Sequence, residues 1–159
     1  MPVEKVIITT QNYKNLEEIV LALKKKGVTS ISFSQVEIIG LTSENHQLLV
    51  PTKELLPELI KAIKAARQEK LAYTLENLPL CLIPGEEDHF VLGNQPGIKM
   101  QFCQTCELSP RCGGITKAQL IAEYGTQLLS WQFLFPKNFF TEEDIAYLDE
   151  ALLRSANKA

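Results

Sequence analysis

Short apolar segments alternate with amphipathic segments in the first half of the chain. Residues 3–10, 29–39 and 71–78 are brief runs rich in β-branched and aromatic side chains, which is typical of strands buried in a sheet. The intervening segments 15–27 and 52–70 carry apolar residues at spacings of three and four, the pattern of a helix with one buried face. This alternation predicts βαβ units, and therefore an α/β fold whose parallel strands are covered by helices.

The pattern changes after Leu78, where the chain becomes rich in glycine, proline and cysteine and loses its periodicity. We predict a loop-rich region from 79 to 125. It should contain a short hairpin within residues 89–102 and a brief helix near 116–125.

A third region, 126–159, combines an aromatic segment that begins at Trp131 with a C-terminal helix. Thr141 and Asp144 stand three residues apart before an apolar run, which is the spacing of a capping box at a helix start. The sequence therefore divides into 1–78, 79–125 and 126–159.

Composition and charge exclude several classes of function. The net charge of −3 over 159 residues argues against a nucleic-acid binder, which would need a basic face. No run approaches the roughly 20 apolar residues of a membrane span, and the N-terminal residues lack the apolar stretch of a signal peptide. We therefore expect a cytoplasmic protein that binds neither nucleic acid nor membrane, and whose cysteines stay reduced.

The four cysteines are the clearest candidates for chemistry. Cys81, Cys103, Cys106 and Cys112 have the spacing C-x21-C-x2-C-x5-C. A C-x2-C pair can place both sulfurs on one metal centre, and the turn-rich segment between the first two cysteines can bring in the rest. We predict one metal site, with buried free thiols or fortuitous disulfides as the alternative. The spacing is compatible with both Zn²⁺ and a [4Fe–4S] cluster.

Other polar residues are weaker candidates. His46, in the long connection 40–51, and His89 are predicted to be solvated loop histidines, with a ligand or acid–base role as the alternative. Glu76 and Asn77 end the third predicted strand, where polar side chains either face a ligand or simply terminate the strand. The sequence contains no glycine-rich nucleotide loop, nucleophile elbow or HExxH motif.

Taken together, three stretches resemble the radical S-adenosylmethionine (SAM) enzymes. Residues 6–40, "VIITTQNYKNLEEIVLALKKKGVTSISFSQVEIIG", resemble the fourth strand, its helix and the fifth strand of that family's partial TIM barrel. Residues 71–85, "LAYTLENLPLCLIPG", resemble the sixth strand and the first auxiliary-cluster cysteine. "CQTCELSPRCGG", followed by "YG", resembles the cysteine-rich extension related to SPASM and twitch domains, which holds an auxiliary [4Fe–4S] cluster.

The resemblance implies a fold and a set of roles. Residues 1–78 would form a partial (βα) barrel segment of about three parallel strands with flanking helices, followed by the cysteine region and the C-terminal helices. The four cysteines would ligate the auxiliary cluster, which favours [4Fe–4S] over Zn²⁺. Gly40 would lie beside SAM, and Gln11, Gln35 and Glu76 would lie at the substrate or cofactor face.

The family's defining CxxxCxxC motif and its first three βα units are absent from this sequence. The resemblance therefore implies the C-terminal half of such an enzyme, unable to cleave SAM alone. SAM would bind only after completion by an N-terminal half-barrel partner chain. Open strand edges and apolar surface make a homo-oligomer the other expectation.

Two alternatives compete with this interpretation. One is a zinc-binding structural or protein-interaction module. The other is a self-contained redox protein that uses a CxxC dithiol, which would be expected at a helix N-terminus with exposed thiols.

Overall fold

The computed structural model describes residues 3–36, 45–91, 97–130 and 140–157. Its strands and helices follow one another in the order of this list: β1 Val3–Ile8, α1 Leu16–Lys25, β2 Ser30–Gln35, α2 Thr52–Gln68, β3 Ala72–Glu76, β4 Phe90–Val91, β5 Gly97–Ile98, β6 Ile115–Thr116, α3 Lys117–Tyr124 and α4 Glu142–Asn157. Strands β1 to β4 form a parallel sheet in sequential order, and β5 and β6 form a separate antiparallel pair. The predicted α/β class with parallel strands and flanking helices is confirmed.

Helices α1 and α2 cover one face of the parallel sheet. Strand side chains alternate between faces, so Ile31, Phe33 and Leu75 share the helix-covered face and are fully buried. They pack against the apolar faces of the two helices, for example against Leu16 of α1 and Leu59 of α2. Together these residues form the main core of the protein. This core forms because apolar side chains alternate along the strands and recur every three or four residues along the helices, as the sequence indicated.

The opposite face of the sheet carries small polar side chains. In β2 this face presents Ser30, Ser32 and Ser34, and its neighbours include Ile7, whose side chain is half exposed. An ion pair between Lys5 Nζ and Glu76 Oε2, 3.2 Å apart, crosses it from β1 to β3. Within the described part of the chain β1 pairs with β2 alone, so its other edge carries no strand.

The strand pairing corrects one expectation. The sequence predicted a hairpin within residues 89–102, but β4 pairs parallel with β3 while β5 pairs antiparallel with β6. The hairpin prediction was therefore wrong. Both strands are only two residues long. Such strands carry no periodicity from which a partner can be inferred.

The C-terminal helices pack at the carboxyl end of the sheet. Val36, which follows β2, and Leu49 form a second apolar cluster with residues of α3 and α4, including Leu120 and Leu148. The predicted capping box is confirmed: Asp144 Oδ2 accepts from Thr141 N at 2.8 Å, and Thr141 Oγ1 accepts from Asp144 N at 3.2 Å. The predicted aromatic segment from Trp131 lies outside the described residues, except for Phe140. In the described parts of the chain, every helix is too short or too polar to form a membrane span.

A polar network ties the segment after β3 to the main core. The buried hydroxyl of Tyr73 in β3 donates to Glu86 Oε2 at 2.5 Å, and Arg67 of α2 donates to both Tyr73 and Glu86. His89 stacks on the Tyr73 ring with centroids 4.2 Å apart. These contacts fix residues 80–91, the segment that begins beside Cys81, against the sheet.

Tyr73 provides a test of this network. Burial, with the Glu86 carboxylate as the second cause, raises the pKa of Tyr73 to about 12. The folded-state pKa lies above the unfolded value of about 10. The protonated Tyr73 hydroxyl therefore stabilises the folded chain below pH 10, and this contribution is lost as the pH rises toward 12. We expect one of the four tyrosines to ionise late in an ultraviolet titration, and that step to vanish in Tyr73→Phe.

The same substitution removes a hydrogen bond to a buried carboxylate. It should therefore lower the free energy of unfolding by about 2 kcal/mol. A late tyrosine ionisation that persists in Tyr73→Phe would show that the raised pKa belongs to another residue.

Candidate metal centre

The four cysteines line one cavity. Its volume is about 90 Å³, and the side chains of Cys81, Cys103, Cys106 and Cys112 all contribute to its wall. The other lining residues are Pro79, Lys99, Leu108, Ser109, Gly114 and Ile115. All four cysteines are free thiols, so the disulfide alternative has no counterpart in this structure. Residues that are up to 31 positions apart in the sequence therefore meet at one place.

A succession of tight turns explains the spacing of three of these cysteines. The amide of Cys103 donates to Met100 O at 2.9 Å, that of Cys106 to Cys103 O at 3.2 Å, that of Ser109 to Cys106 O at 3.1 Å, and that of Cys112 to Ser109 O at 3.3 Å. Each bond spans three residues, as in a 3₁₀-helix with three residues per turn. The turns do not form one continuous helix, because Cys106 has extended backbone angles and the Cys112 amide also donates to Leu108 O at 2.9 Å. Together they nevertheless bring all three cysteines to the wall of the same cavity.

Cys81 reaches the same cavity from another part of the fold. It lies in a 3₁₀ turn, Leu80–Leu82, shortly after β3 and is the most exposed of the four cysteines. Burial raises the pKa of the Cys81 thiol, and the negative charge of Cys112 raises it further, followed by Cys106 and Cys103. The other three sulfurs are thus close enough to Cys81 to influence its ionisation.

Two glycines, Gly97 in β5 and Gly114 just before β6, allow the two segments to approach each other closely. A Cβ atom on Gly97 would lie 2.1 Å from Gly113 O, and one on Gly114 would lie 2.8 Å from Ile98 O. Gly114 also has a φ of +88°, in the left-handed region that favours glycine. Its amide donates to Cys112 Sγ at 3.3 Å. The close approach of β5 to residues 113–116 therefore positions Cys112.

Gly114→Ala is expected to open the β5–β6 pair. The alanine would keep the left-handed strain and add a clash with the Ile98 backbone, which cannot move aside as a flexible side chain can. We expect the opening free energy of β5–β6 to fall by about 1 to 3 kcal/mol, measured by amide hydrogen exchange.

Gly27→Ala is the matched control. Gly27 has a nearly equal φ of +86°, but no atom lies within 4 Å of the Cβ position. Gly27→Ala should therefore cost only the conformational strain, about 1 to 2 kcal/mol, at the end of α1. It should leave the opening free energy of β5–β6 unchanged. Equal effects of both substitutions on β5–β6 would show that the close backbone contact is unimportant.

The thiols do not form a preassembled ligand set. Across residues 3–36, 45–91, 97–130 and 140–157, no group of three or more His, Cys, Asp or Glu side chains is already arranged to hold a metal ion. The four cysteines line one cavity without reaching that arrangement. Loop-built metal sites become ordered as the metal binds, so the shared cavity is compatible with a site that completes its geometry only in the presence of the metal.

The other site residues suggested by the resemblance are dispersed. Gln11 is exposed, and Gly40 lies outside the described residues. Gln35 is buried and lines a second cavity of about 320 Å³ at the carboxyl ends of β1 and β2, to which Lys5 also contributes. Glu76 is connected to this cavity through its ion pair with Lys5. Of the four residues, Gln35 lines this cavity, Glu76 is linked to it through Lys5, and Gln11 does not line it.

The prediction of a solvated His46 was wrong. Its side chain is buried, its Nε2 lies 2.7 Å from Asp144 Oδ1, and its ring stacks on Tyr147 with centroids 4.8 Å apart. Lys117 Nζ lies 2.8 Å from the other carboxylate oxygen. Burial opposes ionisation of Asp144, but these partners outweigh it and hold the pKa of Asp144 well below its usual range. His89 is partly exposed, as expected, and its Nδ1 lies 3.2 Å from Tyr73 O.

Comparisons of the chain with protein-family models, with curated proteins and with solved structures give no significant match. The class of the protein therefore follows from its own features. It is an α/β protein with a four-stranded parallel sheet and a separate, turn-rich segment whose cysteines share a cavity.

Proposed function

We propose that this chain is the C-terminal half of a radical SAM-type enzyme and binds an auxiliary [4Fe–4S] cluster through Cys81, Cys103, Cys106 and Cys112. The observation that carries this proposal is that the four thiols line one cavity. Four cysteine thiolates are the usual ligand set of such a cluster, so the donor set fits. The two histidines are not among the residues that line the cavity.

The arrangement of the sheet supports the half-barrel part of the proposal. One face of the parallel sheet is covered by α1 and α2, while the other carries serines and the Lys5–Glu76 ion pair. A sheet of a complete barrel has an enclosed inner face and no free edge. Among the described residues the outer edge of β1 has no partner strand, and this edge is where the strands of an N-terminal half would continue the sheet.

The ligand set also narrows the role of the cluster. When bound, a [4Fe–4S] cluster would supply electron transfer or a structural cross-link. Four cysteine ligands leave no open coordination position, which argues against direct binding of substrate. The chain's own contribution is to order the turns at 100–112, to join them to Cys81, and to donate the Gly114 amide to Cys112 Sγ, because hydrogen bonds to sulfur tune the reduction potential.

The chain lacks the CxxxCxxC ligands of the SAM-cleaving cluster, so the proposal includes no SAM cleavage by this half alone. Calorimetric titration with SAM should show no binding tighter than about millimolar, because the partner half would supply the rest of the pocket. Micromolar binding would contradict the assignment of this chain as an incomplete half.

Anaerobic reconstitution tests the cluster itself. Protein treated with iron and sulfide should become brown and absorb near 400 nm, and Ser109→Ala should behave in the same way. A colourless protein that instead retains one equivalent of Zn²⁺ would contradict the proposal in favour of a zinc-bound structural module, since a closed Cys₄ set also suits structural zinc.

A further inference from the structure

Any metal centre in the four-thiol cavity faces an electrostatic problem. Metal-binding cysteines are thiolates, so ligation gathers up to four negative charges around one cavity. Like charges gathered around one small cavity repel strongly where the surroundings are partly desolvated. A cation in the cavity wall would reduce this repulsion.

Lys99 is the one charged residue, other than the thiols, among the described residues that line the cavity. It directly follows β5, and its Nζ donates to Ser109 O at 2.6 Å. That bond joins β5 to the turn between Cys106 and Cys112. In the described part of the chain Lys99 takes part in no ion pair, so no carboxylate neutralises its charge.

A second cation of this region, Arg111, does not serve the same purpose. Arg111 is adjacent to Cys112 in sequence, but its Nη2 pairs with Asp88 Oδ1 at 3.0 Å and it does not line the cavity. Its charge is matched by a carboxylate, whereas the partner of Lys99 is a neutral carbonyl. The two residues therefore make a natural pair of test and control.

We propose that Lys99 is a positioning and charge-balancing residue of the four-thiol site: it fixes the turn that carries Cys106 and Cys112 and offsets the negative charge of the metal-bound thiolates. The inference deepens the proposed function but applies to any metal held by the four sulfurs. Two consequences follow. Loss of the charge should weaken metal binding, and it should make an iron–sulfur cluster harder to reduce, since net charge sets its potential.

The first measurement uses Cd²⁺ as the probe. Its binding is monitored through the charge-transfer absorption of the cadmium–thiolate complex. Lys99→Met should bind Cd²⁺ roughly tenfold more weakly than the unaltered chain. Lys99→Arg, which keeps the charge, should remain within about twofold, as should the control Arg111→Met. Increasing salt should reduce the difference between Lys99→Met and the unaltered chain, because salt screens exposed charges.

The second measurement is the reduction potential of the reconstituted cluster. It should shift to more negative values in Lys99→Met and stay in place in Lys99→Arg. A purely structural role of the side chain would not produce this pattern. If Lys99→Met fails to give the far-ultraviolet circular dichroism of the unaltered chain, Lys99→Gln takes its place.

Distinct outcomes separate this inference from the proposed function. Equal Cd²⁺ affinities for the unaltered chain and Lys99→Met would overturn it, as would equal losses in Lys99→Met and Lys99→Arg. A chain that binds Cd²⁺ with the predicted dependence on Lys99, but assembles no iron–sulfur cluster, would support the role of Lys99 and contradict the proposed function. If the unaltered chain does not bind Cd²⁺, both are wrong.

Discussion

Asp144→Asn is expected to lower the free energy of unfolding by about 3 to 5 kcal/mol. The carboxylate is fully buried and joins the start of α4 to His46 in the long connection and to Lys117 at the start of α3. An asparagine keeps the shape but removes the charge, which leaves the cation of Lys117 without its buried carboxylate. Chemical denaturation monitored by circular dichroism measures the loss.

Asp149→Asn is the matched control. It lies on the same helix, but its side chain is exposed. Surface substitutions of this kind usually change the free energy of unfolding by less than about 0.5 kcal/mol. Similar losses for Asp144→Asn and Asp149→Asn would mean that the His46–Asp144–Lys117 cluster does not hold the C-terminal helices in place.

The same carboxylate predicts how stability depends on pH. The folded-state pKa of Asp144 is depressed, so its contribution is present above the unfolded value of about 4 and is lost as the pH falls below it. We therefore expect the difference in stability between the unaltered chain and Asp144→Asn to shrink in acid. A constant difference between about pH 6, where the contribution is complete, and about pH 2, where part of it is lost, would contradict that assignment.

Cys106→Ser is expected to abolish tight metal binding and to loosen residues 100–116. Cys106 lies at the centre of the succession of turns, between Cys103 and Ser109. Beyond the β5–β6 pair these turns contain little regular secondary structure, so the metal would supply most of their order. Limited proteolysis should cut this segment in Cys106→Ser and spare it in the metal-loaded chain.

Ser109→Ala is the control for this effect, because Ser109 occupies the same three-residue series and lines the same cavity without offering a thiolate. It should retain the metal and resist proteolysis. Cys81→Ser is a second test, since Cys81 comes from a different part of the fold. Unchanged metal content in Cys81→Ser would remove that residue from the site.

The sheet could be predicted from sequence because its strands and helices differ in period. The buried series Ile31–Phe33 and the stripe of Leu55 and Leu59 repeat often enough to identify each element and its buried face. Where elements shrink to two residues, as in β4 and β5, no period exists, and the predicted hairpin was wrong.

The candidate site shows the same contrast. The close spacing of Cys103, Cys106 and Cys112 is a local signal, and a succession of turns brings all three to one cavity. The burial of His46 depends on Asp144, which is 98 residues away, and no local pattern indicates that pairing. One partial signal existed: Asp144 belonged to a predicted capping box, which places a carboxylate at a helix start, and a carboxylate can accept a hydrogen bond from a histidine or lysine brought beside it by the fold.

The most direct test of the central claim is native mass spectrometry of the chain after anaerobic reconstitution with iron, sulfide and an equimolar amount of Zn²⁺. The account predicts a mass increment of one [4Fe–4S] cluster per chain, absent from Cys106→Ser and retained by Ser109→Ala. An increment of one zinc ion, or the mass of the metal-free chain, would contradict it.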